Sequence, residues 1–212
     1  MKQTSFSMTG YFDKGKRTKR EQFLAEMNQV VPWARVCTLI EPHYPKGSPA
    51  GGRPPLPLER MFRIYCLQQW YNLSDPGAEE ALYDSITMRQ FAGVSTDADV
   101  IPDETSILNF RRLLEKHQLT ERLLAEINTL LCERGLLVGK GTIVDATIIN
   151  APSSTKNAKK KRDPQMHQTR KGKQWYFGMK VHTGTDTESG LVHTVVGTAA
   201  NVADINVLGE LL

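Results

Sequence analysis

An α+β fold is predicted, helices first and antiparallel strands after, and three observations predict it. Up to about residue 135 the apolar residues recur at the helical period of roughly 3.6. After Gly135 the period drops to about 2, the repeat of a strand. Between the first strand and the next lies 151–173, "APSSTKNAKKKRDPQMHQTRKGK", whose Ser, Lys and Pro content cannot build a core and reads as a mobile loop. With 212 residues, 40% of them hydrophobic, the chain can form one sizeable core or two small ones.

The helices follow in order. "KREQFLAEMNQVV" (19–31) sets Phe23, Leu24, Met27, Val30 and Val31 on one stripe. "GSPAGGRPPLP" (47–57) is a loop by composition, and its prolines lead into "LERMFRIYCLQQWY" (58–71), with Met61, Phe62, Tyr65, Cys66 and Trp70 on one side. "DPGAEEALYDSITMRQFAG" (75–93) opens on Asp-Pro and closes on Gly93, the start and stop signals of a single helix. "PDETSILNFRRLLEKHQ" (102–118) carries Asp103 as its N-cap and acids in its first turn. "TERLLAEINTLLCERG" (120–135) is capped by Thr120 and closed by Gly135.

Three strands come next. In "TIVDATII" (142–149) both alternating faces are largely apolar, the pattern of a strand covered on both sides. In "WYFGMKVHT" (175–183) the faces separate: Trp175, Phe177, Met179 and Val181 against Tyr176, Gly178, Lys180 and His182. "GTDTESG" (184–190) is a turn, and "LVHTVVGT" (191–198) returns as the hairpin partner. "ADINVLGELL" (203–212) opens a last helix with Asp204 in its first turn. It stops on Leu211 and Leu212 without a cap, as a truncated sequence would.

Charge is unevenly placed. The chain carries a net +4, yet Lys156 to Lys173 alone holds eight Lys or Arg against one acid, a local +7, so the remainder is net negative. A basic stretch on a slightly acidic body points to a polyanion partner at one place. The three cysteines, Cys37, Cys66 and Cys132, are far apart and form no C-x-x-C, which reads as reduced thiols in a cytoplasmic protein. The N-terminus lacks a signal-peptide apolar region, and no stretch reaches the roughly 18 apolar residues of a membrane span.

Four features can carry chemistry. Asp145 sits among Ile143, Val144, Ala146, Ile148 and Ile149, where an ionised carboxylate is costly unless something balances it. A metal ligand is favoured there, against the alternative of an acid on the wet face of an edge strand. The basic stretch, Lys159, Lys160, Lys161, Arg162, Arg170, Lys171 and Lys173 included, suits phosphate, and equally describes a solvated insertion. Helices 75–93 and 103–117 form a loose helix-turn-helix. The second buries Ile107, Phe110 and Leu114 and presents Thr105, Asn109, Arg112 and Lys116, side chains able to contact bases and phosphates or simply to face water. Lys180 and His182 lie on the polar side of their strand, where pairing with the Asp145 strand brings them near the acid and Lys180 is expected to hold a DNA phosphate or pair with the carboxylate. His43, His117, His167 and His193 lack ligand spacing.

Taken together, these motifs resemble a bacterial insertion-sequence transposase of the DDE class, in the insertion sequence 5 group. "RPPLPLERMFRIYCLQQWYNLSDPGAEEALYDSITMRQFAGV" with "IPDETSILNFRRLLEKH" is similar to that family's helical N-terminal domain. "TIVDATIINAP", "YFGMKVHTGTD" and "GLVHTVVGTAANVAD" are similar to the opening of its catalytic domain. The resemblance implies a DNA-binding domain over 1–135 and an incomplete RNase H-like domain over 136–212, its three-stranded antiparallel part present. It implies that Asp145 is the first catalytic acid and binds Mg²⁺ (or Mn²⁺), with double-stranded inverted-repeat ends as partner and a homodimer as the working form. In the family's order the second acid lies on or after a fourth strand, so Asp204 is expected to cap a helix instead, and the second Asp and the Glu are missing. Three functions follow as expectations: a transposase acting at its element's ends, a non-catalytic protein that represses by occupying them, or a nuclease of the same fold.

Overall fold

The computed structural model describes residues 16–47, 51, 54–94, 99–155 and 160–212. The chain divides into two compact units, the first ending at Ile127 and the second running Asn128–Leu212. Helices build the first and an antiparallel sheet the second, so the fold is α+β, a helical N-terminus followed by the opening strands of an RNase H-like domain.

In the first unit α1 (Lys19–Val30) is followed by α2 (Trp33–Ile40), a 3-10 turn (Glu41–His43), α3 (Leu58–Tyr71), α4 (Asp75–Asp84), α5 (Ile86–Ala92) and α6 (Glu104–Lys116). Helix α7 (Leu119–Glu133) runs across the division. Local chemistry sets the ends. Thr18 and Glu21 form a reciprocal capping box at α1, and Asp103 caps α6, its Oδ1 accepting from the Ser106 N–H at 2.7 Å. Helix α7 begins at Leu119, after Gln118 in the left-handed region (φ +52°), so Thr120 lies inside the helix and does not cap it.

The helix expected over 75–93 is two helices. Ser85 takes extended backbone angles (φ −104°, ψ 106°), and its hydroxyl accepts from the Met88 N–H, starting a new helix with its own cap. The break lets α4 pack on α6 while α5 packs on α1 and α3. Val36, Ile40, Ile64, Leu67, Leu82, Ile107, Leu114 and Leu119 form the buried centre. One polar tie crosses it: Arg111 on α6 holds Asp75 on α4 (Nη2–Oδ2 2.8 Å), and Gln68 on α3 donates to the same carboxylate at 2.9 Å.

The second unit contains β1 (Thr142–Asn150), β2 (His167–Lys171), β3 (Gln174–Asp186) and β4 (Val192–Ala199). Strand β1 runs antiparallel along one edge of β3 from Asp186 to Gly178. Strands β2 and β4 share the other edge, β2 pairing 174–178 and β4 pairing 179–185. The basic segment is therefore not a loop throughout. Its last part pairs with the otherwise open start of β3, through a turn in which Gly172 takes φ +63°. Gly178 is required where β1 comes closest, since a Cβ there would lie 2.0 Å from the Ile149 carbonyl oxygen.

Alternation gives the sheet two unlike faces. One carries Val144, Ala146 and Ile148 of β1 with Lys180, His182 and Gly184 of β3, and is covered by the short helical end, a 3-10 turn (Asp204–Val207) leading into α8 (Leu208–Leu211). Val207 and Leu211 are buried there. The other carries Ile143, Asp145, Thr147 and Ile149, all exposed. The expectation of a first strand covered on both sides is corrected: among the described residues only one face is covered.

Candidate functional site

Asp145 lies mid-strand on β1, opposite Thr183 of β3. Its Oδ1 accepts from the Ala146 N–H at 2.8 Å, and the Thr183 hydroxyl donates to its backbone carbonyl at 3.4 Å. The apolar setting read from sequence is real, but it is a wet one, since Ile143 and Ile149 on the same face are 55% and 52% exposed. The carboxylate is thus open to a ligand and bears little of the burial cost that first drew notice to it. A divalent cation needs several oxygens to converge, and Mg²⁺ keeps most of its water otherwise. No group of three or more His, Cys, Asp or Glu that could hold a metal occurs among the described residues. Asp145 fits as a single ligand; a two-metal centre is not assembled from these residues.

Lys180 and His182 do not approach Asp145. Strand pairing brings them close in the sheet, but alternation turns them to the opposite, covered face. His182 is fully buried, its Nε2 2.9 Å from Thr198 Oγ1. Since the Thr198 hydroxyl also donates to the Ala199 carbonyl at 3.1 Å, Nε2 is the donor to Thr198. His182 Nδ1 stands 3.2 Å from Asp204 Oδ1, too poorly aligned for a hydrogen bond. Lys180 Nζ donates to the Val202 carbonyl at 2.6 Å and lies 3.5 Å from Asp204. This explains Asp204. The 3-10 turn starts after Ala203 with no side-chain cap, so Asp204 does not cap a helix and serves as the anionic partner of Lys180 instead, beside the His182 ring.

The remaining basic candidates divide between the two units. On α6, Asn109, Arg112 and Lys116 are exposed on one face, as the period required, while Ile107, Phe110 and Leu114 are buried opposite. Arg112 and Lys116 form no ion pair with the described residues, in contrast to the neighbouring Arg111, which Asp75 and Glu115 hold. Two acids of α4 are used internally, Asp75 by Arg111 and Gln68, and Glu79 accepting from the Glu104 N–H at 2.7 Å. In the second unit Lys160, Lys161, Arg162, Arg170, Lys171 and Lys173 are all exposed, and Lys159 lies outside the described residues. Arg162 folds over the Phe177 ring at 5.2 Å and Arg170 over the Trp175 ring at 5.9 Å. Charge alone had singled out these arginines; their aromatic neighbours on β3 were not foreseen, although an exposed Trp beside a basic run was the available signal.

Two titratable groups are held structurally. Asp186 is buried at the β3–β4 turn, and hydrogen bonds from the Ser189 hydroxyl (2.7 Å), the Ser189 N–H (2.9 Å) and the Gly139 N–H (2.9 Å) bring its carboxyl down to about 2. Burial pushes the Cys66 thiol up to about 12, which makes it inert. No helix among the described residues is long and apolar enough to cross a membrane.

Comparison with known families agrees with this arrangement. Residues 12–113 match the family model described as Transposase domain (DUF772), and residues 137–212 match that described as Transposase DDE domain. No solved structure gives a significant match. A helical region followed by a strand-borne aspartate, each matched by its own transposase family in the same order, leads to one assignment: the chain belongs to the DDE transposases of insertion sequences.

Proposed function

We propose that this chain binds the inverted-repeat ends of an insertion sequence of the insertion sequence 5 group, acting as a homodimer on double-stranded DNA. The observation that carries the reading is the exposed face of α6, where Arg112 and Lys116 form no ion pair with the described residues and Asn109 and Arg112 fall inside the matched transposase domain. Asn109 and Arg112 would meet base edges, Lys116 a phosphate, and the lysines and arginines of 159–173 further phosphates, whereas Lys180 is held by Asp204 and the Val202 carbonyl and is not among them. DDE transposases are divalent-metal dependent and cleave and join DNA by phosphodiester transfer. In that chemistry Asp145 would supply one carboxylate to Mg²⁺ or Mn²⁺.

A second reading is favoured by a specific observation, the lack of converging carboxylates around Asp145 among the described residues. On that reading the polypeptide occupies the ends without cutting them and so represses transposition. Two assays on the purified chain separate the readings: gel shift on the terminal repeats beside its gene, and nicking of a plasmid carrying them in Mg²⁺ or Mn²⁺. Specific binding without nicking supports repression, and nicking abolished by Asp145→Ala supports catalysis. A nuclease would nick plasmids lacking the repeats equally well. No preference for the repeats in either assay would refute end recognition.

A further inference from the structure

Strand β3 outruns its neighbours. Strand β1 reaches it from Gly178, with Ala151 N–H adding one hydrogen bond to the Phe177 carbonyl at 2.7 Å, and β4 reaches it from Met179, so residues 174–176 pair with β2 alone and form a two-stranded ribbon extending past the sheet. Phe177 at its base is buried, but Trp175, further out on the same face, is 65% exposed. Trp is among the residues most buried on average, so a ring left in water at that level is available for contact.

The surroundings of that ring indicate what it contacts. Arg170 is the direct cross-strand partner of Trp175 and lies over its ring, and two residues further along the same face Arg162 lies over Phe177. Lys171 and Lys173 flank the turn. From His167 to Thr185 the chain carries no acid. An exposed ring among cations and away from acids is complementary to a polyanion that also offers flat apolar surfaces. Nucleic acid with unpaired bases has both properties, whereas in a duplex the base faces are covered by stacking.

We propose that the β2–β3 ribbon is a single-strand DNA contact, with Trp175 stacking on an unpaired base and Arg170, Lys171 and Lys173 holding the adjoining phosphates. The ribbon shares its sheet face with Asp145, eight residues away along β3 by register, or about 27 Å at the usual strand rise. Trp175 therefore does not touch a phosphate held at Asp145; it holds a strand flanking that point. This rests on the DNA-binding function proposed above and adds the state of the DNA and the residue that reads it.

The test is fluorescence anisotropy of the full chain with a labelled dT oligomer of about 16 nucleotides and, separately, a duplex of the same length. Trp175→Ala is expected to weaken dT binding about 5- to 150-fold and leave duplex binding unchanged. Trp175→Phe should restore most of the loss, while Lys171→Ala with Lys173→Ala should weaken both DNAs and flatten the salt dependence. Circular dichroism melts confirm that the exposed-site variants fold. Unchanged dT binding in Trp175→Ala, or equal losses on both DNAs, overturns the stacking role while leaving DNA binding intact. Duplex binding without any dT binding does the same. Absence of binding to either DNA by the unaltered chain overturns both this proposal and the DNA-binding function. A Trp175→Ala chain whose sedimentation changes while its dT affinity does not would assign the ring to a second copy of the chain.

Discussion

Asp145 and His182 occupy adjacent strands, His182 paired with Ala146 and Asp145 with Thr183, yet they face opposite sides of the sheet. One residue of register separates an exposed carboxylate from a fully buried imidazole. The two sides consequently have separate chemistries: an open acid on one, and on the other a closed network of Lys180, His182, Thr198 and Asp204 that fastens β3 and β4 to the helical end.

The Asp75–Arg111 pair should be worth measuring in the first unit. Asp75 is largely buried, and Arg111, hydrogen-bonded to it, holds its carboxyl below the usual range. Arg111 is more than a third exposed, so solvent screening limits the contribution. Arg111→Ala should destabilise by about 1–2 kcal/mol in urea unfolding. A change within a few tenths would mean that Gln68 alone satisfies Asp75.

Asp186 predicts a pH dependence with a definite sign. Its folded value of about 2 lies below the ordinary 3.8, so its contribution is present in full above pH 4 and is lost as pH falls through about 2. Asp186→Asn should lower the melting temperature at pH 7, and the gap from the unaltered chain should close toward pH 2. A gap independent of pH would show that shape, not charge, holds the turn.

Asn109 and Arg112 test base reading. Their exposure on α6 is established, and contact with bases is the proposal. Each Ala substitution should cost about 1–3 kcal/mol on the terminal repeat and much less on random DNA. Equal losses on both DNAs would make them phosphate-binding residues, and no loss would leave α6 an ordinary solvated helix.

The basic stretch tests counterion release. Replacing Lys159, Lys160, Lys161 and Arg162 by Ala should flatten the log–log dependence of duplex affinity on salt, by about 0.9 for each phosphate no longer neutralised. An unchanged slope in a filter-binding titration would remove the segment from the interface.

By itself the sequence determined the change from helices to strands, the Asp103 cap, the buried stripe of α6 and the two side-chain sets of β3, because each follows from local periodicity or a hydrogen bond within one turn. The break at Ser85 was obscured because the apolar period continues through it, and β2 because its pairing partner, not its own composition, makes it a strand. Only the tertiary structure decided which side of the sheet meets water. The set containing Lys180 and His182 looks polar and is the covered one, since the Val202 carbonyl and Asp204 hold the Lys180 ammonium and Thr198 takes the His182 Nε2 hydrogen bond. On the opposite, apolar-looking face Trp175, Ile143 and Ile149 are exposed, although Phe177 among them is buried. Alternation specifies two faces, but which one is buried depends on what packs against it, here Val207 and Leu211 from some sixty residues further along the chain than Asp145.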